Sequence, residues 1–140
     1  MTNKKILVVE DDADVRLGYQ ILLKANHYET FFAADSASAV SEARKHQPDL
    51  IILDLGLPGG DGFIVLERFR GNMNLAVIPV IVVSARDIGA NRDRALKAGA
   101  KAFVQKPWND NELLTLITEL LGEPNIVYLS TAKHPYPEEP

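Results

Sequence analysis

Acidic residues stand directly after two short apolar runs of the sequence. Residues 6–9 (ILVV) are followed by the acids of positions 10–12 (EDD), and residues 50–53 (LIIL) are followed by Asp54. If the two runs are neighbouring strands, at least three carboxylates share one small pocket. Carboxylates that close cannot all ionise without a cation, and oxygen ligands with no Cys or His beside them suit Mg²⁺ or Mn²⁺ rather than zinc. The alternative is that the first three acids only cap a helix, which Asp12 is in any case placed to do.

A hydroxyl and an amine follow two further apolar runs. Ser84 ends the run VIVVS, and Lys106 follows AFVQ. A serine hydroxyl is a neutral hydrogen-bond donor, and a lysine ammonium is a mobile positive charge. Either residue alone is ordinary, because a serine after a strand commonly begins a turn and a lysine is commonly a solvated surface charge. Together with a carboxylate nucleophile and metal-binding acids, they supply what phosphoryl transfer requires, namely positioning and neutralisation of charge on the phosphoryl oxygens.

These side chains can meet only if the apolar runs are parallel strands of one sheet. Apolar runs typical of buried strands alternate along the chain with helical patterns. The predicted strands are 6–9, 30–33, 50–53, 80–83 and 102–104, and the predicted helices are 13–25, 36–45, 62–70, 91–98 and 110–121. This alternation indicates a parallel sheet with helices on both faces. We therefore predict a doubly wound, flavodoxin-like α/β fold of five parallel strands in the order 2-1-3-4-5, in which ligands bind beyond the carboxyl ends of the strands.

The composition is that of one globular domain. The chain has 140 residues, of which 46% are hydrophobic and 24% charged. The net charge is −4 with basic residues scattered among the acids, so no basic surface for nucleic acid is expected, and the absence of cysteine excludes disulfides and thiolate chemistry. The apolar run near the N-terminus is too short for a signal peptide or a membrane span. We therefore expect a cytoplasmic protein that does not enter a membrane.

The sequence after Gly122 differs from the rest, since four of the eight prolines of the chain fall there. The pattern predicts a domain of residues 1–122 followed by a Pro-rich tail or linker at residues 123–140. The alternative is that this tail docks on the domain, or on a second copy of the chain, through its apolar residues 126–128.

Four motifs, in this order and spacing, resemble the receiver domain of response regulators in bacterial two-component signalling. They are ILVVEDD, LIILDLGLPGGDG, VIVVSA and AFVQKPW, and the resemblance covers about residues 4–121. It implies that Asp54 accepts a phosphoryl group from a phosphohistidine of a sensor histidine kinase or a phosphotransfer protein. The chain would then be a signalling switch and not an enzyme, because it would catalyse only its own phosphorylation and dephosphorylation.

The resemblance also assigns a metal site. Glu10, Asp11, Asp54 and the backbone carbonyl of Gly56 would hold Mg²⁺, with Asp11 as a direct ligand and Glu10 acting through water. The glycine-rich turn after the third strand would let the backbone approach the metal and the phosphoryl group.

Further residues are implied to contact the phosphoryl group or to transmit the signal. Ser84 and Lys106 would contact phosphoryl oxygens, and Phe103 would turn inward when the hydroxyl of Ser84 is drawn to them; without the resemblance, Phe103 would be taken for an ordinary core ring. The Lys106-Pro107 peptide bond would be cis, although only about 5–6% of X-Pro bonds in folded proteins are.

The signal is implied to leave through the surface formed by the fourth helix, the fifth strand and the fifth helix. The fourth helix has only Ile88 and Leu96 as large apolar residues, so it should be the least firmly packed. This surface would act on an output domain or a target protein. A phosphorylation-dependent homodimer is a further implied partner arrangement.

Three alternatives compete with this interpretation. A haloacid-dehalogenase-type phosphatase would place a general acid two residues after Asp54, where this chain has Gly56. A flavodoxin-like nucleotide or flavin binder would need a glycine- and hydroxyl-rich phosphate loop after the first strand, where this chain has three acids that would repel phosphate. A receiver-like binding module that is never phosphorylated would not need the complete set of acids, hydroxyl and lysine.

The sequence departs from the family pattern at a few positions. Gly56 removes any side-chain control over the phosphorylation site, and Gly60 would loosen the turn that follows. Arg86 can reach over the same pocket, so the lifetime of the phosphorylated state stays open. Lys101 and Ala102 lack the acidic pair of the winged-helix transcription-factor branch, which argues against the dimer typical of that branch.

Overall fold

The structure is a computed structural model that describes residues 3–57 and 62–123. The strands are β1 (Lys5–Val9), β2 (Glu29–Ala33), β3 (Leu50–Leu53), β4 (Val80–Ser84) and β5 (Ala102–Gln105), and the helices are α1 (Ala13–Ala25), α2 (Ser36–His46), α3 (Gly62–Arg70), α4 (Ile88–Lys97) and α5 (Asp110–Leu121). The strands are parallel and lie in the order β2-β1-β3-β4-β5, so the predicted doubly wound fold is confirmed. The predicted turn at residues 58–61, with Gly60, and the predicted tail from residue 124 onward lie outside the described residues.

The sheet separates two apolar cores because successive side chains of a strand point to opposite faces. In β1, Leu7 and Val9 belong to the core beneath α2, α3 and α4, whereas Ile6 and Val8 belong to the core beneath α1 and α5. Strands β1, β3 and β4 are buried along nearly their whole length, which is why their sequences are continuously apolar. Within the described residues, no helix has the length and apolar character needed to cross a bilayer.

The register of the strands brings the acidic residues together. Val9 of β1 is paired with Leu53 of β3, so the residues that follow, Glu10 and Asp54, leave the sheet side by side. The backbone N–H of Asp54 donates to the carbonyl of Val9 at 3.0 Å. On the other side of the site, the backbone N–H of Lys106 donates to the carbonyl of Ser84 at 2.8 Å. The side chains of Glu10, Asp54, Ser84 and Lys106 therefore start from one edge of the sheet.

Side-chain caps fix where the helices next to the site begin. The carboxylate of Asp12 accepts hydrogen bonds from two backbone N–H groups of the first turn of α1, at 2.8 and 3.1 Å. Asn109 caps α5 by accepting from the backbone N–H of Glu112 at 2.9 Å. The cap predicted at Asp12 is confirmed.

The predicted start of the fourth helix at residue 91 is wrong, because α4 begins at Ile88. The carboxylate of Asp87 accepts from the backbone N–H of Ala90 at 3.2 Å and caps a turn that the apolar pattern does not show. The expectation of weak packing agrees with the structure, since Ala95 is the only buried residue of α4, whereas α1 and α2 bury three each.

Candidate functional site

Three carboxylates meet beyond the carboxyl ends of β1 and β3. Glu10, Asp11 and Asp54 each place a carboxylate oxygen within 4.8 Å of the others. The side chains of Glu10 and Asp54 are only 2% and 12% exposed, whereas Asp11 is exposed. Two backbone N–H groups orient the carboxylates. The N–H of Asp12 donates to Glu10 Oε2 at 3.1 Å, and the N–H of Gly56 donates to Asp54 Oδ1 at 3.2 Å.

The ammonium of Lys106 lies between two of these carboxylates. Its Nζ atom is 2.7 Å from Glu10 Oε1 and 3.4 Å from Asp54 Oδ2, so the pair with Glu10 is the closer one. Burial opposes the charge of the ammonium, but the hydrogen bonds and charges of the two carboxylates outweigh it and raise the pKa of Lys106. Lys106 is therefore positively charged in the pocket.

The charges of the cluster suit a divalent cation. Burial raises the pKa of Glu10, and the neighbouring charge of Asp54 acts in the same direction, while the contacts with Lys106 and the Asp12 N–H oppose them. One ammonium compensates only one of three carboxylates, so the ionised cluster carries excess negative charge. Hard oxygen donors in this arrangement fit Mg²⁺, which binds through a few carboxylates and keeps several waters.

Ser84 and Arg86 form the side of the site next to β4. Ser84 is 1% exposed, and its hydroxyl oxygen accepts a hydrogen bond from the backbone N–H of Arg86 at 3.1 Å. The Arg86 guanidinium donates through Nη2 to the carbonyl of Leu55 at 3.3 Å. Arg86 therefore reaches across to the residue that follows Asp54, in agreement with the sequence-based expectation.

Phe103 and Pro107 complete the positions singled out from the sequence. Phe103 is 8% exposed and belongs to the apolar core on the α4 side of the sheet. The Lys106-Pro107 peptide bond is cis, as expected. An open groove of about 520 Å³ runs beside the lysine and gives access to this side of the site; its lining residues are Ala85, Lys106, Pro107, Trp108 and Asp110.

Two residues of α1 that also support the site were not identified from the sequence. The guanidinium of Arg16 donates through Nη1 to the carbonyl of Glu10 at 2.8 Å. The ring of Tyr19 stacks on that of Trp108, with centroids 4.4 Å apart and planes 12° from parallel. An arginine in the first turns of a helix carries no signal of such a contact, and the apolar spacing of α1 predicts that Tyr19 is buried but not against which ring.

The comparison with known sequences agrees with this geometry. Residues 6–118 match the model of the response regulator receiver domain family. The chain is 35% identical over 118 residues to the phosphate regulon transcriptional regulatory protein PhoB of Escherichia coli, which is 84% of this chain and 52% of PhoB. It is 38% identical over 109 residues to the transcriptional regulatory protein KdpE of Mycobacterium tuberculosis, which is 78% of this chain and 47% of KdpE. The chain thus spans about half the length of these relatives.

Solved structures share the fold. The receiver domain of the sensor histidine kinase PA1611 from Pseudomonas aeruginosa, which has a magnesium ion coordinated in its active-site cleft, matches with a TM-score of 0.80 and 27% sequence identity over 87% of this chain and 100% of that one. The family match extends over most of the sequence and coincides with the five-stranded sheet and the acidic cluster at its edge. The chain therefore belongs to the response regulator receiver domain family.

Proposed function

We propose that this chain is a phosphorylation-dependent signalling switch in which Asp54 accepts a phosphoryl group from a phosphohistidine of a sensor histidine kinase or phosphotransfer protein. One observation carries the proposal. The Asp54 carboxylate stands at the end of a buried strand, within 4.8 Å of two further carboxylates and 3.4 Å from a lysine ammonium. A nucleophile, a site for a cation and a mobile positive charge are thus in one pocket.

The transfer is an in-line displacement at phosphorus. An Asp54 carboxylate oxygen attacks, a P–O bond forms, and the P–N bond of the phosphohistidine breaks. The electron pair of that bond stays on the nitrogen, and the imidazole leaves as a neutral ring because its other nitrogen already carries a proton. The product is an acyl phosphate. In the structure the shorter contact of the Lys106 ammonium is with Glu10, at 2.7 Å. Its flexible stem would allow the ammonium to turn to a phosphoryl oxygen on Asp54.

The acidic cluster is the proposed place for Mg²⁺, and Mn²⁺ suits the same ligands. Glu10, Asp11 and Asp54 would hold the cation together with the backbone carbonyl of Gly56. When bound, such a cation neutralises charge on the phosphoryl oxygens. Gly56 is exposed, and a Cβ atom there would meet no atom within 4 Å apart from its chain neighbours, so the space beside its backbone is open.

The signal is proposed to leave through Ser84. Its hydroxyl can donate to a phosphoryl oxygen, which requires the loop after β4 to move inward. The loosely anchored α4 directly follows that loop, and Phe103 lies on β5, which pairs with β4, so the α4–β5–α5 surface would change shape. A small free-energy preference for one of two existing arrangements is sufficient.

The matched segment makes up only about half of each of these relatives, which supports an output domain as the receiver of the signal, with a separate target protein as the alternative. We further propose a cytoplasmic location, no direct binding of nucleic acid by this net-acidic domain, and a homodimer as one form of output. The phosphatase and nucleotide-binding alternatives are not favoured, because the family match and the acidic cluster both point to a receiver.

The proposal is tested with a small phosphodonor. Acetyl phosphate with Mg²⁺ should add one phosphoryl group, acid-stable and hydroxylamine-labile, as measured by intact mass. Asp54→Asn should abolish the addition, because an amide is not a nucleophile. Asp93→Asn, which changes an exposed acid of α4, is the matched control and should be phosphorylated like the parent. Undiminished phosphorylation of Asp54→Asn, or none of the parent by either acetyl phosphate or a phosphohistidine donor, would overturn the assignment.

A further inference from the structure

Tyr19 of α1 and Trp108, two residues after the lysine of the site, form a stacked pair. Their ring centroids are 4.4 Å apart and their planes 12° from parallel. Tyr19 is 1% exposed, and Trp108 packs at the border of the same apolar core. The Nε1–H of Trp108 donates to Asp110 Oδ1 at 2.9 Å. The stack and this hydrogen bond together fix both the plane and the in-plane orientation of the indole ring.

Trp108, one member of the stacked pair, follows Lys106 by two residues. Upstream, the backbone N–H of Lys106 is held on the carbonyl of Ser84 at 2.8 Å. Downstream, the next side chain with a defined partner on another element is Trp108. A lysine has a flexible four-carbon stem and loses conformational freedom when its ammonium is confined. The direction of its Cα–Cβ bond is therefore set by the backbone on both sides, and Trp108 anchors one of them.

Helix α1 connects the stacked pair to the acidic loop. Arg16, three residues before Tyr19, donates to the carbonyl of Glu10 at 2.8 Å, and Glu10 is the carboxylate 2.7 Å from the Lys106 ammonium. One helix thus contacts the loop that carries the acids and the loop that carries the lysine. Burial, together with the charges of Glu10 and Asp54, raises the pKa of Tyr19, so its hydroxyl stays protonated.

We propose that Tyr19 and Trp108 are positioning residues for phosphoryl transfer: their stack holds the loop after β5 so that the Lys106 ammonium lies within reach of the phosphoryl group on Asp54. The inference rests on the proposed function, and it assigns a role in that function to residues outside the acidic cluster, the hydroxyl and the lysine. Neither residue touches the phosphoryl group; both act through Lys106.

The first test measures phosphorylation by acetyl phosphate at saturating Mg²⁺, with thermal unfolding to verify folding. Trp108→Leu and Tyr19→Leu should each lower the maximal rate about tenfold, since a small displacement of a positioned group has effects of this size. The apparent affinity for Mg²⁺ should stay within about twofold, because the acids that hold it are not displaced. Trp108→Phe and Tyr19→Phe keep stacked rings and should recover most of the rate. Phe32→Leu, in the same core but on β2, is the matched control for loss of an aromatic ring.

A double-mutant cycle separates positioning from general destabilisation. If the stack acts through Lys106, Trp108→Leu should cost less than about twofold further in a Lys106→Met background, because residues in one pathway are not additive. A full tenfold loss in that background, or no rescue by the Phe variants, would overturn the inference.

A readout that needs no phosphodonor keeps the inference and the proposed function distinguishable. Nuclear Overhauser contacts between the side chains of Lys106 and Glu10 should be present in the parent and in Trp108→Phe, and lost in Trp108→Leu and Tyr19→Leu. If the contacts persist in both Leu variants, the stack does not position the lysine, whatever the phosphorylation assay gives. If they are lost while the parent accepts no phosphoryl group, the positioning holds and the proposed function fails.

Discussion

Asp11 differs from the two other acids of the cluster in its surroundings. Glu10 and Asp54 share the ammonium of Lys106, at 2.7 and 3.4 Å, whereas Asp11 is exposed. In the absence of a cation its carboxylate adds repulsion to the cluster. A substitution of Asp11 therefore tests whether the excess negative charge of the cluster serves to bind a metal ion.

Asp11→Ala should weaken Mg²⁺ binding about tenfold or more, as loss of a carboxylate from a metal site does, and should slow phosphorylation at limiting Mg²⁺. Without Mg²⁺ the same variant should be more stable by up to about 1 kcal/mol, the Coulomb energy of two unit charges roughly 4 Å apart in water. Thermal unfolding with and without Mg²⁺ measures both effects. Asp93→Ala, an exposed acid of α4, should change neither, and Mg²⁺ binding by Asp11→Ala equal to that of the parent would place the metal elsewhere.

The first residue of α3, Gly62, lies close to the backbone that follows β3. The backbone N–H of Gly62 donates to the carbonyl of Leu55 at 2.8 Å. A Cβ atom on Gly62 would lie 2.6 Å from Leu55 Cα and 2.7 Å from the backbone oxygen of Asp54. Both neighbours are backbone atoms of the segment that carries Asp54, so neither can move away without displacing that residue.

Gly62→Ala should lower the free energy of unfolding by about 1–3 kcal/mol, the usual effect of overpacking, and should also reduce the rate of phosphorylation because Asp54 is displaced. Gly18→Ala is the matched control, since Gly18 lies within α1 and a Cβ atom there meets nothing within 4 Å. The control should gain about 0.5–1 kcal/mol from the better helix former. Urea unfolding gives both values, and an equal effect of the two substitutions would contradict the close approach.

The elements differ in how well the sequence predicts them, for identifiable reasons. Apolar runs give the strands, and Asp12 and Asn109 give the starts of α1 and α5, because strand burial and side-chain caps are local properties. The start of α4 was misplaced by three residues because its first turn is held by Asp87 and has little apolar surface. Strands β4 and β5 each extend one residue further than predicted because Ser84 pairs with Gln105 in the ladder.

Some features of the site could likewise be predicted from the sequence, and others could not. Four of its side chains start from one edge of the sheet, and the strand order alone requires that, so the sequence was sufficient to predict their meeting. The closer pairing of Lys106 with Glu10 instead of Asp54 was not predictable, since it depends on side-chain conformations of residues 96 positions apart. The stack of Tyr19 on Trp108 likewise depends on how α1 and the loop after β5 pack on one face of the sheet.

The whole molecule distributes its packing unevenly around the site. Helices α1 and α5 bury three and four residues against one face of the sheet, whereas α4 buries Ala95 alone on the other. Outside its own turns, α4 is held by contacts such as the Arg94 guanidinium over the Phe63 ring, 3.7 Å from its centroid. A structural change at the site should therefore displace α4 more easily than α1 or α5.

Phe103 lies in the apolar core on the α4 side of the sheet, and the hydroxyl oxygen of Ser84 accepts from the Arg86 N–H. The loop from Ser84 to α4 is the segment that a movement of the Ser84 hydroxyl would displace directly. A phosphoryl group that draws the Ser84 hydroxyl inward would shift this loop and α4 between two arrangements, which a preference of a few kcal/mol is enough to bias.

Ser84→Ala should therefore separate phosphorylation from its structural consequence. Asp54, the acids and Lys106 are untouched, so the variant should still take up a phosphoryl group, but without the hydroxyl the amide signals of residues 88–104 should shift less than in the parent. Amide NMR spectra before and after addition of acetyl phosphate and Mg²⁺ measure this. Ser41→Ala, an exposed serine of α2, should shift like the parent. Full-sized shifts at residues 88–104 in phosphorylated Ser84→Ala would mean that the signal crosses to α4 by a route other than the serine, with the Arg86 contact to Leu55 the next to be tested.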